Sequence, residues 1–294
     1  MKTITAHEAN NLDEQKSSIK RRVRKSDFQH HLFIESYGVK LSITSNTADG
    51  IEDARKIIAE NFPDCFREMQ ETEVEYRFLL VRNHSAKDSL YKNGEKVLTR
   101  INRKQLLNTL ISQVRLTVAE FAVGHVFIHA GAVSWKGKAI MIPGSSFSGK
   151  TTLTTALIKR GATYYSDEYA VLDEEGYVHP FTKPLSIRGE IDNYTQVEHS
   201  VESLGGTAAT EKTNVSMVLI TEYKPNAKWN PKVISNAQGI LGILKHSVSI
   251  RQNPVFTLRV LNRVATNALI VKSKRGDVSE QADLILNFCE SACS

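Results

Sequence analysis

Gly144-Ser145-Ser146-Phe147-Ser148-Gly149-Lys150-Thr151 constrains this chain more tightly than any other stretch. It has the pattern G-x-x-x-x-G-K-[ST]. It follows an apolar run, Ala139-Ile140-Met141-Ile142-Pro143, and precedes a helix-forming one, Thr152-Leu153-Thr154-Thr155-Ala156-Leu157-Ile158. Strand, glycine-bounded loop and helix in that order place the chain in the α/β class. Glycines at both ends let backbone N–H groups curl around phosphate oxygens, and the helix N-terminus turns its partial positive charge toward the anion. Lys150 is placed to reach β- and γ-phosphates, and the Thr151 hydroxyl to join a Mg²⁺ shell. The expected nucleotide contacts therefore run from Gly144 through Thr151 to Thr152. Phe147 is unusual in such a loop and is expected to pack beneath it or to shield the nucleotide. No Asn-Lys-x-Asp tetrad for guanine is present, so ATP is the expected nucleotide.

The remaining composition sets limits. The 294 residues suggest two domains at roughly 150 residues each, or one large domain with a subdomain. With 41% hydrophobic and 24% charged residues, a sizeable core is feasible. No apolar run approaches the ~18–20 residues of a membrane span, and the polar N-terminus lacks a signal-peptide core, so a cytoplasmic location without a membrane partner is expected. Cys65, Cys289 and Cys293 read as buried or idle thiols of a reducing compartment. The net charge of +6 is concentrated in Lys16 to Lys25. That run lacks interleaved aromatic residues for base stacking, so it reads as a solvated arm rather than a nucleic-acid contact.

Three regions follow: a flexible basic leader (1–27), an α+β subdomain (28–125) and a nucleotide-binding region (126–294). In the second region, strands flank a Tyr37-Gly38 turn, a helix spans Asp49–Phe62, a strand covers Val74–Val81, and a turn falls at Asn93-Gly94. A long helix covers Lys104–Ala122. In the third, strands cover Val126–Val133 and Ala139–Pro143 around a Lys136-Gly137-Lys138 turn, and the loop helix runs from Lys150 to Lys159. Further strands cover Thr163–Tyr165, Tyr169–Leu172, Ser216–Thr221 and Ala268–Lys272. A last helix, Ser279–Glu290, is capped by Ser279.

Beyond the loop helix, Ser166-Asp167-Glu168 ends a short strand, which places two carboxylates near the loop's phosphate end. One acid can accept the proton of an attacking hydroxyl while the other helps to hold metal. His129-Ala130-Gly131, the loop, Gly161, Ser166-Asp167-Glu168 and Pro184-Leu185-Ser186-Ile187-Arg188-Gly189 together resemble the HPr serine kinase family. The likeness is greatest to its small relatives such as lasso-peptide precursor kinases, and it covers roughly Val126 to Gly189. The resemblance implies a phosphoenolpyruvate-carboxykinase-like core with a mixed sheet and phosphoryl transfer from ATP–Mg²⁺ to a serine or similar hydroxyl. It also implies Asp167 as general base, His129 orienting that base, Thr151, Asp167 and Glu168 at the metal, and Arg188 as a catalytic residue. Ser186 stands where the family signature has Glu. The family's separate HPr-recognising domain is not evident in residues 1–125.

Each residue also has a plainer reading. His129 in an apolar strand fits a core histidine, Arg188 a surface arginine, and Glu222 a strand-end acid rather than a water-mediated metal contact. The expected acceptor is a peptide, protein or small-molecule hydroxyl, with a homo-oligomer compatible. An ATPase switch or assembly factor without an acceptor is the alternative, and a nucleic-acid-associated protein using the basic leader is a third class.

Overall fold

Tyr37 and Gly38 both have positive φ, 48° and 76°, the backbone that a two-residue hairpin turn requires. In a computed structural model, which describes residues 28–83, 87–188 and 196–293 without the side chains of Arg188 and Gln196, this turn opens the first sheet. The 1–27 leader lies outside the described residues. The turn joins β1 (His30–Ser36) to β2 (Val39–Ser45), with Ser36 opposite Val39. α1 (Ala48–Asn61) follows, and the Thr47 hydroxyl caps it by accepting from Gly50 N. β3 (Arg67–Met69), β4 (Tyr76–Val81), β5 (Asp88–Lys92) and β6 (Glu95–Ile101) complete six strands in the order β3-β1-β2-β4-β5-β6. α2 (Arg103–Phe121) starts at a capping box made by Asn102 and Gln105. Ile51, Ala54 and Ile58 of α1 and Leu106, Leu110 and Val114 of α2 share one core with Ile34, Leu41 and Phe78 of the sheet. Phe127, Tyr169, Val171 and Phe181, from the second half of the chain, belong to that same core.

The second sheet begins with the hairpin β7 (His125–Trp135) and β8 (Lys138–Pro143). After the loop come α3 (Lys150–Ile158), β9 (Thr163–Ser166), β10 (Tyr169–Asp173) and β11 (Tyr177–His179). β12 (Leu185–Arg188) and β13 (Gln196–His199) form a separate two-stranded ribbon. β14 (Thr213–Tyr223), β15 (Lys232–Val233), α4 (Asn236–Leu244), α5 (Pro254–Asn267), β16 (Leu269–Arg275) and α6 (Val278–Ala292) complete the chain. The strand order is β11-β10-β7-β8-β14-β16-β15, with β9 on β7. β11 also pairs with the start of β14, so the sheet curls back on itself. β14 runs parallel to β8 and β16 while the other pairs are antiparallel, which gives a mixed α/β architecture.

Strand periodicity sorts the two faces. Met217 and Leu219 of β14, with Ile140 and Ile142 of β8, pack with Leu153 and Leu157 of α3 and Ile285 of α6. Val218 and Met141 point the other way, into a core with Ile243 of α4 and Val260 of α5. Gly131 lets α3 approach β7, because a Cβ there would lie 2.5 Å from Thr154 Oγ1. The loop thus leaves the C-terminal end of a parallel strand, the end at which open α/β sheets commonly bind ligands.

Asp173 ties the curled end together. It accepts hydrogen bonds from Tyr177 N, from the His179 ring at 2.9 Å and from Lys212 Nζ at 2.6 Å. Burial opposes its charge, yet these bonds outweigh burial and hold it down at about 2. Its stabilising contribution is therefore present above its unfolded value of about 3.9 and is lost as pH falls toward that folded value. Asp173→Asn should cost about 1–2 kcal/mol at neutral pH. Urea midpoints of the two proteins should converge as pH falls from about 4 to about 2. A difference independent of pH would exclude a charge-based contribution.

Most expected elements form, but several boundaries move. The 216–221 strand extends to Thr213–Tyr223, and the long helix starts at Arg103. Asp277, not Ser279, occupies the N-cap of α6; Ser279 is already helical and its carbonyl accepts from Arg160 Nη2. α4 and α5 add two helices to the expected elements, and both have ordinary helix starts, Ser235 with Gln238 and Asn253 with Pro254. Cys289 is buried and Cys65 and Cys293 are half-buried, all as free thiols. Burial, with Cys293 beside it, pushes the Cys289 thiol up to about 12. Among the described residues no helix is long and apolar enough to cross a membrane.

Candidate functional site

The loop turns into α3 through Gly149, whose φ of 80° is the left-handed conformation that glycine adopts without a Cβ penalty. A Cβ on Gly149 would also overlap the Arg275 guanidinium. Lys150, the first residue of α3, is buried, and its Nζ donates to Ser145 O at 2.8 Å. Burial pushes this ammonium down to about 8, partly offset by Asp167 and Glu168. Phe147, at φ 69°, is 81% exposed, so it does not pack beneath the loop.

Opposite the loop, the Ser166 hydroxyl accepts from Glu168 N and Tyr169 N and so shapes the turn that presents two acids. Asp167 is buried. Its Oδ2 accepts from Thr151 Oγ1 at 3.1 Å, and its Oδ1 lies 3.0 Å from the Tyr164 hydroxyl and 3.2 Å from Lys183 Nζ. Lys183 is 3% exposed and also reaches Glu168 Oε2 at 3.5 Å and Pro184 O at 3.0 Å. Arg115, from α2, pairs with the same Glu168 oxygen at 3.1 Å and donates to Asn61 Oδ1. Helices of the first half thus reach the acids of the second.

His129 stands beside them on β7. Its Nδ1 lies 2.7 Å from Glu168 O. A carbonyl can only accept, which puts the ring proton on Nδ1. Nε2 is left facing Ser146 Oγ at 3.4 Å, while the backbone N–H of His129 donates to His246 O at 2.7 Å. Burial lowers the His129 and His246 imidazoles below the ordinary range, and Lys150 adds to this at both. The neutral ring is the favoured form.

These side chains line one cleft of about 750 Å³. It includes His129, Ser146, Phe147, Gly149, Lys150, Thr151, Thr152, Asp167 and Glu168 from the sequence-based set, together with Arg115, Lys183 and Ser186. Gly144 is buried under the loop, while Ser145 and Ser148 contribute backbone carbonyls to Lys150 and Arg275. Two expectations change. The His129 ring is hydrogen-bonded to the Glu168 carbonyl and faces Ser146 Oγ rather than Asp167, so it does not orient that carboxylate directly. The Glu168 carboxylate is held by Arg115 and Lys183, two cations that compete with a metal for it. Glu222 is exposed on β14 outside the cleft lining, in keeping with its plainer reading as a strand-end acid. Arg188 ends β12, and its side chain lies outside the described residues.

A Mg²⁺ ion fits part of the expected ligand set. Neighbouring oxygens at octahedral Mg²⁺ distances sit roughly 3 Å apart, close to the 3.1 Å between Thr151 Oγ1 and Asp167 Oδ2. Among the described residues no cluster of three or more His, Cys, Asp and Glu side chains could cage a metal unaided. Such an ion would need oxygens from a bound phosphate or water to complete its shell.

Sequence reasoning missed Arg115, Tyr164, Lys183 and Arg275. The chain matches no protein-family model, and no curated protein sequence matches it.

Proposed function

We propose that this chain is an ATP-dependent kinase that transfers the γ-phosphate to a hydroxyl, the acceptor being a serine of a peptide or protein. The observation that carries the reading is the 3.1 Å pairing of Thr151, at the start of α3, with Asp167 on the facing turn. A glycine-bounded loop at a helix start can cradle the phosphates, and a buried carboxylate faces them across the cleft. The ordered likeness to HPr serine kinases, and with it the phosphoenolpyruvate-carboxykinase-like core, supports the same reading.

In this proposal the N–H groups of the loop and Lys150 bind the β- and γ-phosphates. Thr151 and Asp167 hold Mg²⁺, which supplies charge neutralisation of the phosphoryl oxygens when bound. Asp167 accepts the proton of the acceptor hydroxyl, whose oxygen attacks the γ-phosphorus as ADP leaves. Arg115 and Lys183 anchor Glu168, and through it the turn that carries Asp167. Positioning and charge stabilisation supply most of the rate. The proposed setting is cytoplasmic.

The test is transfer from γ-labelled ATP–Mg²⁺ to a panel of serine-containing peptides and small alcohols. Label on an acceptor, lost in Asp167→Asn and Lys150→Met, is the expected result. Release of free phosphate with no labelled acceptor, joined to an ATP-dependent change of oligomeric state, would replace the kinase with an ATPase switch.

A further inference from the structure

Arg275 ends β16 and is 3% exposed. Its Nη2 donates to Ser148 O at 3.0 Å and to Gly149 O at 2.9 Å. The guanidinium lies over the Tyr223 ring at 5.6 Å, and its buried Nε has no hydrogen-bond partner. No carboxylate pairs with it among the described residues. The nearest acid along this chain of contacts, Asp277, is engaged by the Tyr223 hydroxyl at 3.1 Å. A buried cation without a counter-charge is costly, so its presence needs a reason.

The two carbonyls supply one. In a trans peptide unit C=O and N–H point in opposite directions, and no peptide bond here is cis. Gly149 O also accepts from Leu153 N at 3.0 Å in the first turn of α3, so the helix and Arg275 share that carbonyl, while Ser148 O is drawn to Arg275. With both carbonyls held back, the Gly149 and Lys150 N–H groups turn the other way, toward the cleft that both residues line. Neither N–H has a protein acceptor among the described backbone bonds. Successive N–H groups aimed at one point form an anion nest.

We propose that Arg275 is a positioning residue for a polyphosphate site: it fixes this nest from behind, and the bound polyphosphate supplies its missing counter-charge. The ligand class is a nucleoside triphosphate or inorganic pyrophosphate, whose shared diphosphate carries the recognition. This rests on the phosphate-binding part of the kinase reading and not on transfer.

The experiment measures binding of inorganic pyrophosphate and of ATP, by calorimetry and by thermal shift, to the full chain and to Arg275→Met and Arg275→Lys. Arg275→Met should lose about 30–100-fold in affinity for both ligands. Its melting temperature without ligand should equal or exceed wild type, since an uncompensated buried charge has gone. Arg275→Lys should recover part of the affinity, and in turnover assays KM for ATP should rise more than kcat falls. Affinities within threefold of wild type in both variants would overturn the proposal, as would a wild-type chain that binds no pyrophosphate. Should Arg275→Met fail to fold, the Arg275→Lys affinity alone decides by the same threefold criterion. Arg275-dependent pyrophosphate binding without phosphate transfer to any acceptor would sink the kinase and leave this site standing.

Discussion

Asp167→Asn will lower phosphoryl transfer by about 10³-fold while affinity for ATP measured without Mg²⁺ stays within about threefold of wild type. The substitution keeps the shape of the side chain. Its carbonyl oxygen can still accept from Tyr164 and Lys183, as Oδ1 does at 3.0 and 3.2 Å. What goes is the negative charge and the capacity to take a proton from the acceptor hydroxyl. Lys183 keeps Glu168 as a partner at 3.5 Å, so its ammonium is not stranded. Melting temperatures should therefore change little. The measurement is initial-rate transfer of labelled phosphate at saturating ATP, with ATP binding without Mg²⁺ followed separately by calorimetry. Equal loss of binding and transfer would refute the assignment of Asp167 as proton acceptor.

Lys150→Met should produce the other large effect, a fall of about 10²–10³ in kcat/KM for ATP. The ammonium emerges at the first turn of α3 and rests on Ser145 O, a contact that polyphosphate oxygens can replace. Buried and desolvated, it gains more from an anion than an exposed lysine would. Methionine preserves the stem that lies against Gly144, so the loop's shape should survive. Free-protein stability should hold or rise, because the desolvated charge disappears. Turnover and calorimetric binding measured on one preparation separate the two effects. Unchanged affinity and rate would remove Lys150, and with it the loop, from any role in nucleotide chemistry.

Features set by neighbours in sequence were legible. Tyr37-Gly38, Asn93-Gly94 and Lys136-Gly137 all adopt the positive φ pairs that tight hairpins need. The loop, its helix and the acids at Asp167 and Glu168 depend on residues close along the chain, and they meet in one cleft. What escaped depends on long-range contacts. Arg275 lies 127 residues from Ser148, and Arg115 meets Glu168 only once α2 packs against the second sheet. Lys183 reads in sequence as an ordinary lysine before proline, because nothing local reports that its ammonium is buried between two acids. β12 and β13 are short, and β11 and β15 span three and two residues, too few for a period to show.

The bond between Arg115 and Glu168 couples the first half of the chain to the cleft. α2 holds one end of a lever whose other end lies one residue from Asp167. The same helix shares its core with Phe127, Tyr169 and Phe181, so it cannot tilt without pressing on the strands that carry the cleft. A load placed on the first sheet would therefore be felt at the turn that carries both acids.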